Sequence, residues 1–234
     1  MPRAYHWANR MNSVDFTLYL VRHAQSANNA NPESQRVPDP AITPLGIQQA
    51  QALAGVAGDL DPSHLFCSPF LRTLQTSAPL ADALGLTPVI RADLYEQGGC
   101  YRGYRLDDRT PEPGLSRSEL KSLHPTWHID SVIDDSGWNK HSVYEGLEEA
   151  RARARRVSGW LSGHPWALNS RIMLVIHADF KIRMLEALLG DLDIEGRLGS
   201  VVNTAWTTLS CSQGRWELHD FNAHPHLEAH MVSC

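Results

Sequence analysis

The sequence predicts an α/β fold built on a largely parallel sheet. Three observations lead there. Short apolar runs alternate along the chain with longer segments that carry helix signals. Two of those helices are announced by a hydroxyl residue before proline, at Thr43-Pro44 and Ser68-Pro69. Two histidines, His23 and His177, occupy equivalent places, each just beyond an apolar run.

The elements follow in order. Phe16–Val21 is short and apolar throughout, the pattern of a strand buried on both faces. A polar loop rich in Asn and Pro spans 28–42. Thr43 then caps a helix that runs to about Ala57, with Gly58 as its stop. Leu65-Phe66-Cys67 reads as a short strand. Ser68-Pro69 opens a second helix, to about Leu84, before Gly85. Thr87–Ile90 is a further strand. Residues 97–143 change character, with glycines and prolines at irregular spacing, and are too long for a plain loop. They predict an inserted cap, a lid or a small subdomain. A charged helix follows over about 144–162, carrying Arg151, Arg153, Arg155 and Arg156. Arg171–Ile176 is a strand, Asp179–Leu189 a helix, and Ala205–Ser210 with Arg215–His219 a terminal hairpin. The chain of 234 residues then forms one domain, with a loose extension over 1–14.

Composition narrows the function. Hydrophobic residues make up 42% and charged residues 20%, which suits a folded domain rather than a disordered chain. Lys and Arg number 21 against 26 Asp and Glu, for a net charge of −5. That balance argues against a nucleic-acid coat or a polybasic membrane binder. The longest apolar runs fall far short of the ~20 residues of a membrane span. Residues 1–14 hold Arg3 and Arg10 but no apolar stretch typical of a secretory signal. Cys67, Cys100, Cys211 and Cys234 form neither a CxxC pair nor a zinc-finger spacing. Free thiols in a reducing cytoplasm are therefore expected.

The chemistry gathers around the two histidines. In open parallel sheets, ligands bind in the crevice beyond the carboxyl ends of the strands. If their strands are neighbours, His23 and His177 point into one crevice. Arg22 adjoins His23, and Arg72 lies near the start of the second helix, where free N–H groups and the dipole favour anions. Guanidinium forks fit tetrahedral oxyanions. Ser26 and Asn29 add neutral donors. Two arginines, two histidines and polar donors together point to a phosphate site.

These residues carry a resemblance. Leu20-Val-Arg22-His23-Ala24-Gln25-Ser26, with Asn29, resembles the Arg-His-Gly signature of the histidine phosphatase superfamily. Thr43-Pro-Leu-Gly46, Ser68-Pro69-Phe-Leu-Arg72-Thr73-Leu-Gln75-Thr76, Leu94-Tyr-Glu96 and Val175-Ile-His177 agree with it in order and spacing. The resemblance covers roughly residues 16–220. It implies a three-layer α/β sandwich, with a mostly parallel central sheet, helices on both faces and an inserted lid. It implies His23 as the nucleophile, Glu96 as proton donor to the leaving alcohol, and His177, Arg22 and Arg72 around the phosphoryl group. Ser26, Asn29 and the backbone of Ala178 would add phosphate contacts. No metal or cofactor is needed for that chemistry.

The sequence also departs from the family pattern. Ala24 stands where Gly is usual, and Ala178-Asp179 where Gly-Gly is usual. Asp179 is read either as a favourable helix-start residue or as a carboxylate that selects a less anionic substrate. The phosphoglycerate mutases of the family carry an Arg-Arg pair in the lid. Here the first such pair is Arg155-Arg156, in a predicted helix. That favours hydrolysis over transfer, and a phosphoglycerate mutase or a sugar-bisphosphate phosphatase is the alternative. An inactive relative that binds phosphorylated ligands is the rival of another class. Tyr101, Arg102 and Arg105, with Arg109 and Tyr104 in the same segment, are candidates to grip a second anionic group or a sugar, with plain surface charge as the alternative. The expected partners are a small phosphorylated substrate and, at most, a second copy of the chain in a homodimer. His224, His226 and His230 lack firm acidic or thiol partners and read as a polar, partly ordered tail rather than a zinc site.

Overall fold

Two long strands of continuous apolar character form the centre of the molecule. The structure, a computed structural model, describes residues 15–105, 107–190 and 194–234. The extension anticipated over 1–14 lies outside the described residues. Strand β1 (Phe16–Arg22) is buried along its whole length and pairs in parallel with a strand over Ser170–Ile176, with Arg22 opposite Ile176.

The remaining elements assemble around this pair. A short helix α1 (Ala27–Ala30) leads to α2 (Pro44–Leu60), β2 (His64–Cys67), α3 (Leu71–Leu84) and β3 (Val89–Ile90). The following segment contains β4 (Tyr101–Arg102), β5 (Thr110–Pro111), α4 (Arg117–Leu123) and β6 (His128–Ile129). Then come α5 (Leu147–Gly163), β7 (Ser170–Ile176), α6 (Ala178–Leu189), β8 (Trp206–Ser212) and β9 (Arg215–Ala223). The main sheet has the order β6-β3-β2-β7-β1-β8-β9. Its first five strands are parallel, and β8 and β9 add an antiparallel edge.

Alternation along the central strands divides the core in two. Leu18 and Leu20 of β1 face Ala154, Val157 and Leu161 of α5 and Phe180, Met184 and Leu185 of α6. Tyr19 and Val21 face Leu53 and Ala57 of α2 and Leu74 and Leu80 of α3. The result is the expected three-layer sandwich. Each such fully buried aliphatic side chain contributes roughly 1.5–3 kcal/mol. No described helix is long and apolar enough to cross a membrane.

Several boundaries differ from the sequence reading, each for a local reason. β1 runs one residue further, so Arg22 belongs to the strand and His23 follows it directly. Helix α2 passes through Gly58 and stops at Asp61, whose left-handed backbone (φ 46°) precedes Pro62. Helix α3 starts at Leu71 rather than at Ser68-Pro69. Its first N–H is capped from elsewhere, by Asp39 Oδ1 at 2.9 Å. Strand β3 keeps only the last two residues of the expected 87–90, and the hairpin is longer than expected.

Residues 97–143 are packed into the body at two places. β6 adds a parallel strand to the main sheet beside β3. Leu120, Trp127, Ile133 and Trp138 join the same buried cluster as Phe70 and Leu74. The carboxy-terminal tail is also tied down, contrary to the expectation of partial order. Gln49 Nε2 donates to the Met231 carbonyl (2.7 Å), and Asn203 N–H donates to the Ser233 carbonyl (2.8 Å). His226 stacks on Trp206 and bonds Thr204 Oγ1. The four cysteines are free thiols, three of them buried.

Candidate active site

Because β1 and β7 pair in register, His23 and His177 leave the sheet side by side, with ring centroids 5.2 Å apart. His23 is locked by its backbone, which donates to the Ile176 carbonyl at 2.9 Å, while Asn203 Nδ2 donates to the His23 carbonyl at 2.9 Å. Its Nδ1–H donates to the Ala24 carbonyl at 2.7 Å, which leaves the lone pair on Nε2. That lone pair accepts from Arg72 Nε at 3.2 Å. Burial first, and then Arg72 and Arg22, hold the His23 imidazole well below its ordinary pKa. The ring is therefore neutral and nucleophilic at pH 7.

Arg72 joins both histidines. Its Nη2 donates to His177 Nδ1 at 3.1 Å, and His177 Nε2–H then donates to Ser68 Oγ at 2.7 Å. This explains why Ser68 does not cap α3: its hydroxyl is turned to the histidine. Phe70 lies under the Arg72 guanidinium at 4.0 Å. Burial lowers the Arg72 pKa to about 10, so it stays charged at pH 7. Asp39, 4.0 Å from Arg72 Nη1, is pushed up to about 6, chiefly by burial. Asp39 escaped the sequence reading; its signal was a lone acid between Pro38 and Pro40 in the polar loop.

Arg22 is buried, bonded through Nη1 to the Val201 carbonyl, and keeps a buried Nε without a partner. Ala24 and Ala178 both avoid the left-handed backbone region, so alanine replaces glycine at these positions without strain. Gly46 has no such freedom. A Cβ there would lie 2.2 Å from the Gln25 carbonyl oxygen, on the loop that follows His23. Ser26 and Asn29 are engaged with each other: Ser26 N–H and Oγ both donate to Asn29 Oδ1 at 3.0 Å.

Glu96 reaches the same crevice by docking on the start of α6. Its Oε1 accepts from Phe180 N–H (2.8 Å) and Gln97 N–H (2.8 Å), and its Oε2 from Asp179 N–H (3.3 Å). Ala178 N–H, at the head of that helix, has no partner among the described residues. Burial, and then the charge of Asp179, raise the Glu96 pKa to about 7. The turn that carries Glu96 is clamped by Arg153. This buried guanidinium donates to both oxygens of Glu145 (2.8 and 2.6 Å) and to the carbonyls of Asp93 (3.0 Å) and Tyr95 (2.8 Å). The sequence placed Arg153 in a charged helix, with no sign of burial.

Two of the candidates for substrate contact are not brought to the histidines. Arg102 is 72% exposed and pairs with Glu112 across the β4–β5 hairpin at 2.8 Å. Arg105 is exposed and bends back over Tyr104. Tyr101 is buried, and Arg36 and Arg109 lie over its ring instead. Among the described residues, no group of three or more His, Cys, Asp and Glu is arranged to hold a metal. A surface cavity of about 670 Å³, lined by Arg117, Lys121, Trp127 and His128 among others, lies on the β6 edge and includes none of the site residues.

The chain is similar to known proteins over most of its length. The family model of the histidine phosphatase superfamily (branch 1) matches residues 18–224. A protein named probable phosphoglycerate mutase GpmB, from Yersinia pestis, is 27% identical over 185 residues, 76% of this chain and 85% of that one. A structure described as mycobacterial hydrolase 1 is 26% identical, covering 88% of this chain and 98% of that one, with a TM-score of 0.63. The mycobacterial glucosyl-3-phosphoglycerate phosphatase Rv2419c, complexed with VO3, is 25% identical over 89% of this chain and 99% of its own, with a TM-score of 0.62.

Proposed function

The chain belongs to the histidine phosphatase superfamily, and we propose that it is a metal-independent phosphatase of small phosphomonoesters that works through a phosphohistidine at His23. One observation carries this reading: a neutral His23 Nε2 and His177 share a single buried guanidinium, Arg72, at the ends of two paired strands. A phosphoryl group entering the crevice exchanges with His23 for the Arg72 donor. The freed lone pair of Nε2 attacks phosphorus, a P–N bond forms, and the bond to the alcohol oxygen breaks. Arg72, Arg22 through its unpartnered Nε, and the Ala178 N–H hold the phosphoryl oxygens, where charge must be stabilised in the transition state. Ser26 and Asn29 support the loop behind them, and their remaining polar atoms add contacts.

Glu96 gives its proton to the leaving oxygen. As carboxylate it then takes a proton from water, which attacks the phosphohistidine and releases phosphate. A pKa near 7 suits both halves of that cycle.

A second reading is a mutase, which the relative named probable phosphoglycerate mutase favours. In that case the phosphohistidine passes its group to a second alcohol instead of water. The Arg155-Arg156 pair lies exposed on α5, which supports hydrolysis. The test is turnover of a panel of phosphomonoesters in EDTA, with and without an added acceptor alcohol. Stoichiometric release of phosphate supports the phosphatase. Transfer to the acceptor without phosphate release supports the mutase, and no reaction on any ester supports an inactive relative.

A further inference from the structure

Two peptide groups follow the His23 side chain, and all four of their polar groups are bound. The His23 carbonyl accepts from Asn203 Nδ2 (2.9 Å), and the Ala24 N–H donates to Thr76 Oγ1 (2.9 Å). The Ala24 carbonyl accepts from the His23 ring itself, at Nδ1 (2.7 Å). The Gln25 N–H, in the same peptide plane as that carbonyl, donates to Gln49 Oε1 (2.8 Å). Gln49 therefore orients the peptide that fixes the imidazole tautomer, and Asn203 holds the peptide before it.

The two amides are joined by a residue of the tail beyond β9. Through one hydroxyl, Ser233 accepts from Gln49 Nε2 at 2.9 Å and donates to Asn203 Oδ1 at 3.0 Å. Backbone groups seat the tail there. The Ser233 carbonyl accepts from Asn203 N–H (2.8 Å), and the Met231 carbonyl accepts from Gln49 Nε2 (2.7 Å). Gln49 and Asn203 are fully buried, and Ser233 is half-buried. Among the described residues, only Ser233 donates to Asn203 Oδ1. A buried amide oxygen without a donor is costly, and the amide turns to find another. The Ser233 hydroxyl thus closes a ring of hydrogen bonds around the peptides that hold the nucleophile.

We propose that Ser233 is a positioning residue for phosphoryl transfer: through Gln49 and Asn203 it holds the His23 ring in the tautomer and place from which Nε2 attacks. It touches neither the substrate nor the reacting atoms. This rests on the phosphatase reading above and adds a residue to it. Displacing a reacting atom by about 1 Å costs on the order of 10² in rate. Loss of the link is therefore felt in the chemical step, while the core of the molecule stays folded. The tail, expected from the sequence to be only partly ordered, takes a part in the reaction.

Ser233→Ala and Ser233→Thr test it in the full chain, since threonine keeps the hydroxyl that joins the amides. The probe is p-nitrophenyl phosphate, whose leaving group needs little help from an acid. In single turnover, Ser233→Ala should form phosphohistidine roughly tenfold or more slowly, with the half-saturating ester concentration within about twofold of wild type. Ser233→Thr should recover most of that rate. Rates are taken per folded molecule, from urea unfolding of each variant. An unchanged rate in Ser233→Ala, a loss that threonine does not recover, or a change confined to the half-saturating concentration overturns the positioning role and leaves the phosphatase reading intact. If the wild type turns over no ester, the ring itself decides. With ¹⁵N-labelled histidine, and His23→Ala protein to assign the signals, the wild-type His23 should be protonated at Nδ1 alone. A mixture of tautomers in Ser233→Ala then upholds the hold on the ring and overturns the phosphatase reading. A ring unchanged in Ser233→Ala overturns both.

Discussion

Replacing Glu96 by Gln removes a proton and little else. Oε1 of the amide still accepts from Phe180 and Gln97, the two 2.8 Å bonds that fix the carboxyl on α6. Only the 3.3 Å contact with Asp179 N–H is lost, because the amide nitrogen cannot accept there. The structural cost is then about 1 kcal/mol. The catalytic cost is larger and depends on the leaving group. An alkyl phosphate leaves as a strongly basic alkoxide and should slow by roughly 10²–10⁴, the usual share of general acid catalysis. p-Nitrophenyl phosphate leaves as a stable phenolate and should slow far less. The pH profile adds a second readout. In the wild type, burial and Asp179 hold the Glu96 pKa near 7. Its acid form disappears above that value, so kcat/KM on the alkyl ester should fall about tenfold per pH unit on the alkaline side. Glu96→Gln should lack that limb. Single-turnover rates on both esters isolate the phosphoryl transfer from the later hydrolysis. Equal losses on both leaving groups, or an alkaline limb that survives in the variant, would refute the acid role.

Two further outcomes follow from the neighbours of Glu96. Asp179→Asn removes the charge that helps hold the Glu96 proton, so the Glu96 pKa should fall and the alkaline limb should move to lower pH; a limb that stays in place or moves upward contradicts this. Arg153→Met strands the buried Glu145 carboxylate and should cost about 3–5 kcal/mol in urea unfolding, while Arg153→Met with Glu145→Leu should recover much of that loss. A single-variant loss below about 1 kcal/mol would show that the clamp contributes little.

The parts of this molecule legible in the sequence are those that physics writes locally. β1 and β7 are continuous apolar runs because both faces of a central parallel strand are covered. His23 and His177 stand at their ends, and so announce a crevice. The register that sets them side by side joins segments more than a hundred residues apart, and no local pattern encodes it. Ser68-Pro69 carried a genuine helix-start signal, but its hydroxyl serves His177 and the helix is capped by Asp39 instead. Arg153 looked like a solvated face residue, since burial of a paired charge leaves no trace in composition. Where the arginines of the inserted segment lie is set by the β4–β5 hairpin and by Gly103, where a Cβ would lie 2.4 Å from the Asp108 carbonyl oxygen. Arg102 and Arg105 fall outside as a result, and Arg109 falls over Tyr101 and Tyr144.

The central claim is that His23 Nε2 becomes covalently phosphorylated, and rapid-quench labelling tests it most directly. Protein mixed with a ³²P-labelled phosphomonoester and quenched in alkali, within one turnover, should carry acid-labile label. Peptide mapping should place that label on His23, and His23→Ala protein should carry none. Equal labelling of the two proteins, or turnover by His23→Ala at the wild-type rate, would contradict the account.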